Sequence, residues 1–389
     1  MIALHKINVF YVVVLAFLIR VLAYYILPGL DFPDTSTYIK AGDELFTNGR
    51  IGVDNVMPIH PIFVHILHNI IFIKLANILF STLSVYLVYE LSCMIFNNKA
   101  YATFAALITC FYPYFIFYSI TGLTESLYIF LLLGAFVLLY KKRFTFASIL
   151  IVISILHRPT LDLLAPILIF VFSYYVHKLH IKASIANVLK YFVVYILFMT
   201  PWWFHQFNKY NQFVRLNLGD GIVWFSGNNP DNHSGGGVIG SIKGDDMNLT
   251  LFSSIANPIE KNDAMKQAAF TFIQKNPKRF LELTTIKFIR FWRLWPYAPE
   301  YESPLYIIMS LASYGVILLL SIIFLIQYGR SYFRIISPIL LLIFYFTVVH
   351  MILIASIRYR LPLEPFLIIF ASAVAIHGLQ KIHGRQESK

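Results

Sequence analysis

Cysteine is nearly absent from this chain, with two residues in 389. Two thiols exclude a disulfide framework and a thiolate metal cluster. Charge is scarce as well: 13% of residues are Asp, Glu, Lys or Arg, about half the share in a soluble domain. In their place, 58% of residues are hydrophobic and the mean hydropathy is +0.69. This composition argues against a soluble enzyme, a disordered chain and a fibrous one. There is no internal repeat. No small-residue cleavage site follows the first apolar run, which therefore reads as a retained span rather than a removed signal.

The apolar residues fall into ten runs: Ile7–Leu27, Phe72–Phe96, Tyr101–Ser119, Leu123–Tyr140, Phe144–Leu156, Thr160–His177, Val188–Phe204, Pro304–Gln327, Ile335–Ala355 and Leu361–Ile376. Most are long enough to cross a bilayer, and the short Phe144–Leu156 run is expected to extend into its flanks. The expected fold is an all-α integral membrane protein of about ten spans. Segment 1–204 forms an N-terminal membrane module with a first outer loop at 28–71. Segment 205–303 forms an outer cap, and 304–389 the last spans and a cytoplasmic tail.

The net charge of +12 would point to nucleic acid on a soluble protein; here it records sidedness. With Lys6 inside, the short loops carrying Lys99, Lys141, Lys142, Arg143, Lys178, Lys182, Arg330 and Arg334, and the tail, all face the cytoplasm, as the positive-inside rule requires. No nucleic-acid partner is expected. Three arginines break the pattern, in His157-Arg158-Pro159-Thr160 and Arg358-Tyr359-Arg360, both on the outer side. Departures from an otherwise obeyed rule are where function is sought.

The first outer loop is acidic, and Thr35–Thr47 has the pattern of a helix at the membrane surface. Asp34 precedes it and has two readings, a helix cap or a general base that removes a proton from an acceptor hydroxyl. Asp31 is a possible partner. Together the two acids could hold Mg²⁺ or Mn²⁺, but the pair is a weak signal, and no metal or other cofactor is expected.

Several motifs occur in a telling order: Arg20 in the first span, Asp34-x-x-x-Tyr38-x-x-Ala41, Met57-Pro58-Ile59-His60-Pro61, Thr124-Glu125-Ser126-Leu127, His157-Arg158-Pro159-Thr160, Thr200-Pro201-Trp202-Trp203, Gly227-Asn228-Asn229-Pro230 and Ile357 through Pro365. The series resembles the GT-C membrane glycosyltransferases, in the branch of protein O-mannosyltransferases and the lipid A aminoarabinose transferase. The resemblance implies a polyprenyl-phosphate-sugar donor, a lipid, glycan or protein acceptor at the outer face, inversion at the sugar, and Asp34 as base. The place implied is the cytoplasmic membrane of a bacterium or archaeon. One departure is Phe204-His205-Gln206, where relatives often carry Arg-Asn.

A lipid-linked donor also accounts for the outer arginines. Its phosphate sits at headgroup depth and gains charge as the sugar leaves, so guanidinium groups at that depth stabilise the reaction. Arg158, Arg358 and Arg360 are expected to hold it. Asp31, Tyr38, His60, Glu125 and Asn228 are further candidates to touch substrate. Glu125 could also orient Arg158, and i,i+4 pairing is expected for Arg158 with Asp162 and for Arg360 with Glu364. The basic amphipathic stretch Asn276–Trp295 suits an anionic lipid surface. Two rivals remain: a flippase, expected to show broken helices or repeated halves that this sequence lacks, and a glycan polymerase or ligase with its catalytic groups in a later loop.

Overall fold

The computed structural model describes residues 4–27, 32–236, 249–297 and 303–386. The described residues form helices and no strands. Among the described residues, five helices are long and apolar enough to cross a membrane: α1 (Val9–Ile26), α4 (Ile70–Phe96), α10 (Ile181–Tyr210), α14 (Pro304–Ile352) and the stretch Ile357–Gly378. Shorter apolar helices are α7 (Glu125–Tyr140), α8 (Phe144–His157) and α9 (Ala165–Val176).

The Tyr101–Ser119 run is not one rod. Helix α5 (Lys99–Phe111) and α6 (Pro113–Ser119) meet at a bend of 54°. Pro113 has no N–H to give to the Thr109 carbonyl one turn back. Arg20 of α1 supplies the missing donors. Its Nη2 donates to Thr109 O (3.4 Å), its Nη1 to Cys110 O (3.3 Å) and Ala16 O (3.1 Å), and its Nε to Ser81 Oγ (2.8 Å). Arg20 is therefore the splint of a broken helix, and the reading that no helix is broken is corrected.

Helix α8 ends where its sequence says it must. Arg158 precedes Pro159 and is extended (φ −147°, ψ 121°), the conformation forced on a residue before proline. The short run therefore does not grow at this end.

The stretch Pro304–Ile352 is helical over 49 residues, yet it cannot be one straight rod. Tyr314 lies 3.5 Å beneath the Arg360 guanidinium, and His350 stacks on Tyr359 at 4.7 Å. Along a straight helix, Tyr314 and His350 would stand about 54 Å apart, which adjacent residues cannot bridge. The stretch therefore doubles back, in keeping with the two runs Pro304–Gln327 and Ile335–Ala355.

Helix α7 buries side chains all round its axis, among them Leu127, Tyr128, Leu131 and Phe136, and so forms the centre of the bundle with α4 and α8 beside it. Its N-terminus, at Glu125, is where the short helices of the first loop converge. These are α2 (Pro33–Asn48) and α3 (Ile59–Leu67). They touch at Gly42, where a Cβ would come within 2.4 Å of Pro61 O. The later loop adds α11 (Asp220–Gly227), α12 (Pro258–Lys275) and α13 (Pro277–Phe291). Helices α15 (Ile357–Arg360) and α16 (Glu364–Gln386) complete the chain.

Candidate functional site

Four side chains from four elements meet at the N-terminus of α7. Asp34 stands in the first turn of α2, after Pro33, and makes no capping bond. Its Oδ2 accepts from Arg358 Nη1 at 2.6 Å. Arg358 also donates through Nε to Glu125 Oε1, and the same oxygen accepts from Arg158 Nη1 at 3.0 Å. The cluster thus runs Asp34, Arg358, Glu125, Arg158, with charges alternating. It is graded in exposure: 49% of the Asp34 side chain is accessible, 23% of Arg358, 17% of Arg158 and none of Glu125. An open carboxylate is backed by two half-sheltered cations, which are held by a fully buried anion.

Arg158 is further fixed by aromatic faces. Its guanidinium lies 5.6 Å from the Tyr128 ring and 5.8 Å from the Tyr359 ring, within cation–π range. Tyr359 in turn stacks on His350, whose Nδ1 faces Ile354 O at 2.9 Å. Tyr38 stands edge-on to His60 at 4.5 Å. Burial holds the Tyr38 phenol above its ordinary value, so it stays protonated.

Several expected residues lie elsewhere. Arg360 does not join Arg158 and Arg358. It has no exposed surface, and its donors go to Glu364 Oε1 (2.8 Å), Phe291 O (3.0 Å) and Arg293 O (2.6 Å). The i,i+4 partner Glu364 is where it was expected, but a fully enclosed guanidinium spent on protein carbonyls has no face for a phosphate. His60 is buried, with Nε2 on Gly122 O at 3.3 Å, and burial together with nearby His157 keeps it well below the ordinary histidine value. Asn228 is also enclosed. It donates to Trp224 O (3.1 Å) and Ile352 O (3.0 Å) and accepts from Lys287 Nζ (3.0 Å). It joins the later loop to α14 rather than facing a substrate. Asp31 lies outside the described residues.

Asp162 does not pair with Arg158. Its Oδ1 accepts from Tyr195 OH and its Oδ2 faces Arg215 Nη1, both at 2.6 Å. The i,i+4 rule assumes an unbroken helix, and extended Arg158 followed by the short turn Pro159–Leu161 breaks it. Arg215 was not singled out from sequence, nor were Tyr128, Tyr359, Asn77 and Lys287. Only Tyr359 carried a signal, lying between two arginines already noted.

The later loop is stitched to the stretch that carries Arg358. Ala355 N donates to Gly235 O at 3.0 Å. Arg290 Nε donates to Ala355 O at 2.9 Å and Lys287 Nζ to Ile352 O at 3.0 Å. Gly227 has no room for a side chain, since a Cβ would lie 1.9 Å from Leu353 O. In α13, Leu283, Lys287 and Phe291 face inward, while Leu281, Phe288 and Ile289 are exposed. Among the described residues no three His, Cys, Asp or Glu side chains gather as a metal site.

No family model matches this chain, and no curated protein matches it. Solved structures do. The archaeal oligosaccharyltransferase AglB of Archaeoglobus fulgidus, in complex with an inhibitory peptide and a dolichol-phosphate, is similar over 97% of this chain with a TM-score of 0.57 at 13% identity. The apo form of the Archaeoglobus fulgidus oligosaccharyltransferase gives the same score over 98% at 13% identity. The form tethered to an acceptor peptide with the NVT sequon gives 0.56 over 98% at 12% identity. This chain spans only about half of that enzyme: 51%, 52% and 50% in the three structures. The fold is therefore that of the membrane part of these archaeal oligosaccharyltransferase structures that the chain spans.

Proposed function

We propose that this protein is an inverting membrane glycosyltransferase that moves a sugar from a polyprenyl-phosphate donor to an acceptor at the extracytoplasmic membrane face. The observation that carries the reading is the Asp34–Arg358–Glu125–Arg158 cluster, which puts an open carboxylate beside two cations. It is supported by the fold and by the AglB complex that holds a dolichol-phosphate. Sidedness rests on the cytoplasmic placing of the short basic loops. The order of motifs from Asp34-x-x-x-Tyr38 to Glu364-Pro365 favours the branch of protein O-mannosyltransferases and the aminoarabinose transferase.

The donor phosphate lies against Arg158 and Arg358. Asp34 takes the proton from the acceptor as the acceptor atom forms its bond to the anomeric carbon. The bond from that carbon to the phosphate oxygen breaks, and its electron pair leaves with the polyprenyl phosphate. The two guanidinium groups stabilise the charge that grows there. Glu125 does not contact substrate in this scheme; it aims both arginines. Arg358 ties the base to the leaving group, because the guanidinium that meets the phosphate also touches Asp34. The test is Asp34→Asn in a transfer assay with a lipid-linked sugar. Loss of transfer with the protein still folded is expected, and full activity would remove Asp34 as base.

A further inference from the structure

The turn Thr121–Thr124 that leads into Glu125 is held by side chains from three other helices. Asn77 of α4 donates its amide to Thr121 O (2.8 Å) and Leu123 O (3.1 Å). His60 of α3 places Nε2 on Gly122 O at 3.3 Å, and His157, the last residue of α8, places Nε2 on Thr124 O at 3.0 Å. Four successive carbonyls are thus each met by a buried side chain. Thr35, the neighbour of Asp34, closes on the same turn, for a Cβ on Gly122 would lie 2.4 Å from its Cγ2. The two imidazoles also touch each other, with ring centres 5.0 Å apart.

The arrangement is not one that stability alone would select. Glu125 Oε2, His60 Nδ1, His157 Nδ1, Thr35 Oγ1 and Thr124 Oγ1 are all buried without a hydrogen-bond partner among the described residues. Each such atom costs stability, about 1–3 kcal/mol where a donor or a charged group is left unmet. What the turn does achieve is a fixed place for a carboxylate that must face two arginines at once.

We propose that Asn77, His60 and His157 are positioning residues for transfer: by fixing the Thr121–Thr124 turn they set Glu125, and through it the spacing of Arg158 and Arg358 that receives the donor phosphate. This rests on the phosphate reading above. Each contact depends on a donated hydrogen, so shape without a donor does not replace it.

The experiment measures binding of undecaprenyl phosphate to the full-length protein in lipid nanodiscs, on the folded, monodisperse fraction. His157→Phe keeps a ring without the donor, and Asn77→Leu keeps the volume without the amide. Each is expected to weaken binding about tenfold, or about 1.4 kcal/mol. His157→Gln, which can still donate to Thr124 O, is expected to return to within about twofold of wild type. Arg358→Gln is the control for the phosphate reading. If Arg358→Gln loses binding but His157→Phe and Asn77→Leu do not, the positioning role is overturned and the phosphate reading stands. If His157→Gln is as weak as His157→Phe, the bond to Thr124 is not what matters and the inference fails. If Arg358→Gln binds like wild type, the phosphate reading falls and this inference with it.

Discussion

Replacing Lys287 by methionine tests whether a charged group is really enclosed between α13 and the α14 terminus. The Lys287 ammonium has no exposed surface and meets two neutral acceptors, Asn228 Oδ1 and Ile352 O, each at 3.0 Å. Burial pulls its pKa from 10.5 down to about 7. At about 1.4 kcal/mol for each tenfold change in proton affinity, the charged form carries a penalty on the order of 5 kcal/mol in the fold. The unfolded lysine keeps its proton until near pH 10.5, whereas the folded one releases it from about pH 7. The unfolded chain therefore binds more protons across this window, and stability from this group rises with pH. The penalty is fully present below about pH 7 and shrinks toward 10.5. Between about pH 7 and pH 9 the gain is about 2 kcal/mol, or a few degrees of melting temperature. Lys287→Met keeps the bulk, removes this pH-dependent penalty and leaves two acceptors unmet, the last a cost of about 1–3 kcal/mol that does not vary with pH. Tryptophan-fluorescence melts of both proteins in one detergent, near pH 7, 8 and 9, read the difference directly. The stability of wild type relative to the variant is expected to rise by about 2 kcal/mol from about pH 7 to pH 9. A gap that stays constant refutes the buried charged lysine.

Two other perturbations separate structural from functional charges. The double variant Arg360→Met with Glu364→Leu removes an enclosed ion pair together, so its cost should be limited to the unmet Phe291 and Arg293 carbonyls, about 1–3 kcal/mol. Arg360→Met alone strands Glu364 and should cost about 3–5 kcal/mol. The double variant should bind undecaprenyl phosphate as wild type does, and a loss of binding would return Arg360 to the phosphate site. Arg20→Met leaves the Thr109 and Cys110 carbonyls unmet at the Pro113 break and should cost about 2–4 kcal/mol. Unchanged melting would show that the break needs no splint.

The helical membrane character was legible because bilayer crossing calls for about 20 apolar residues in a row; of the ten runs expected, the described residues give five helices long and apolar enough to cross. The fold-back within Pro304–Ile352 was legible too: Gln327, Arg330 and Arg334 interrupt the apolar run where a turn must leave the bilayer. Arg158 and Arg358 stood out because they violate a charge rule obeyed elsewhere, and both meet at Glu125. Arg360 was misplaced for a reason already present in the sequence. In a single helical turn, residues two apart project about 200° from each other, so Arg358 and Arg360 could not both face one site. The contact of Asp34 with Arg358 joins residues 324 positions apart, and no local pattern encodes such a pair. The roles of Asn77 and Lys287 were hidden likewise, since each depends on backbone carbonyls whose position is set by the assembled bundle.

The stitching of the later loop to residues 352–355 has a consequence for how such proteins can diversify. A segment joined through Gly235, Lys287 and Arg290 to the stretch before Arg358 is not a module that can be swapped alone. With the bond from Asn228 to Ile352 O, exchanging it would abandon four hydrogen bonds beside Arg358. A loop grafted from another chain would have to bring the α14 terminus with it, so the inheritable unit is the loop and its anchor together.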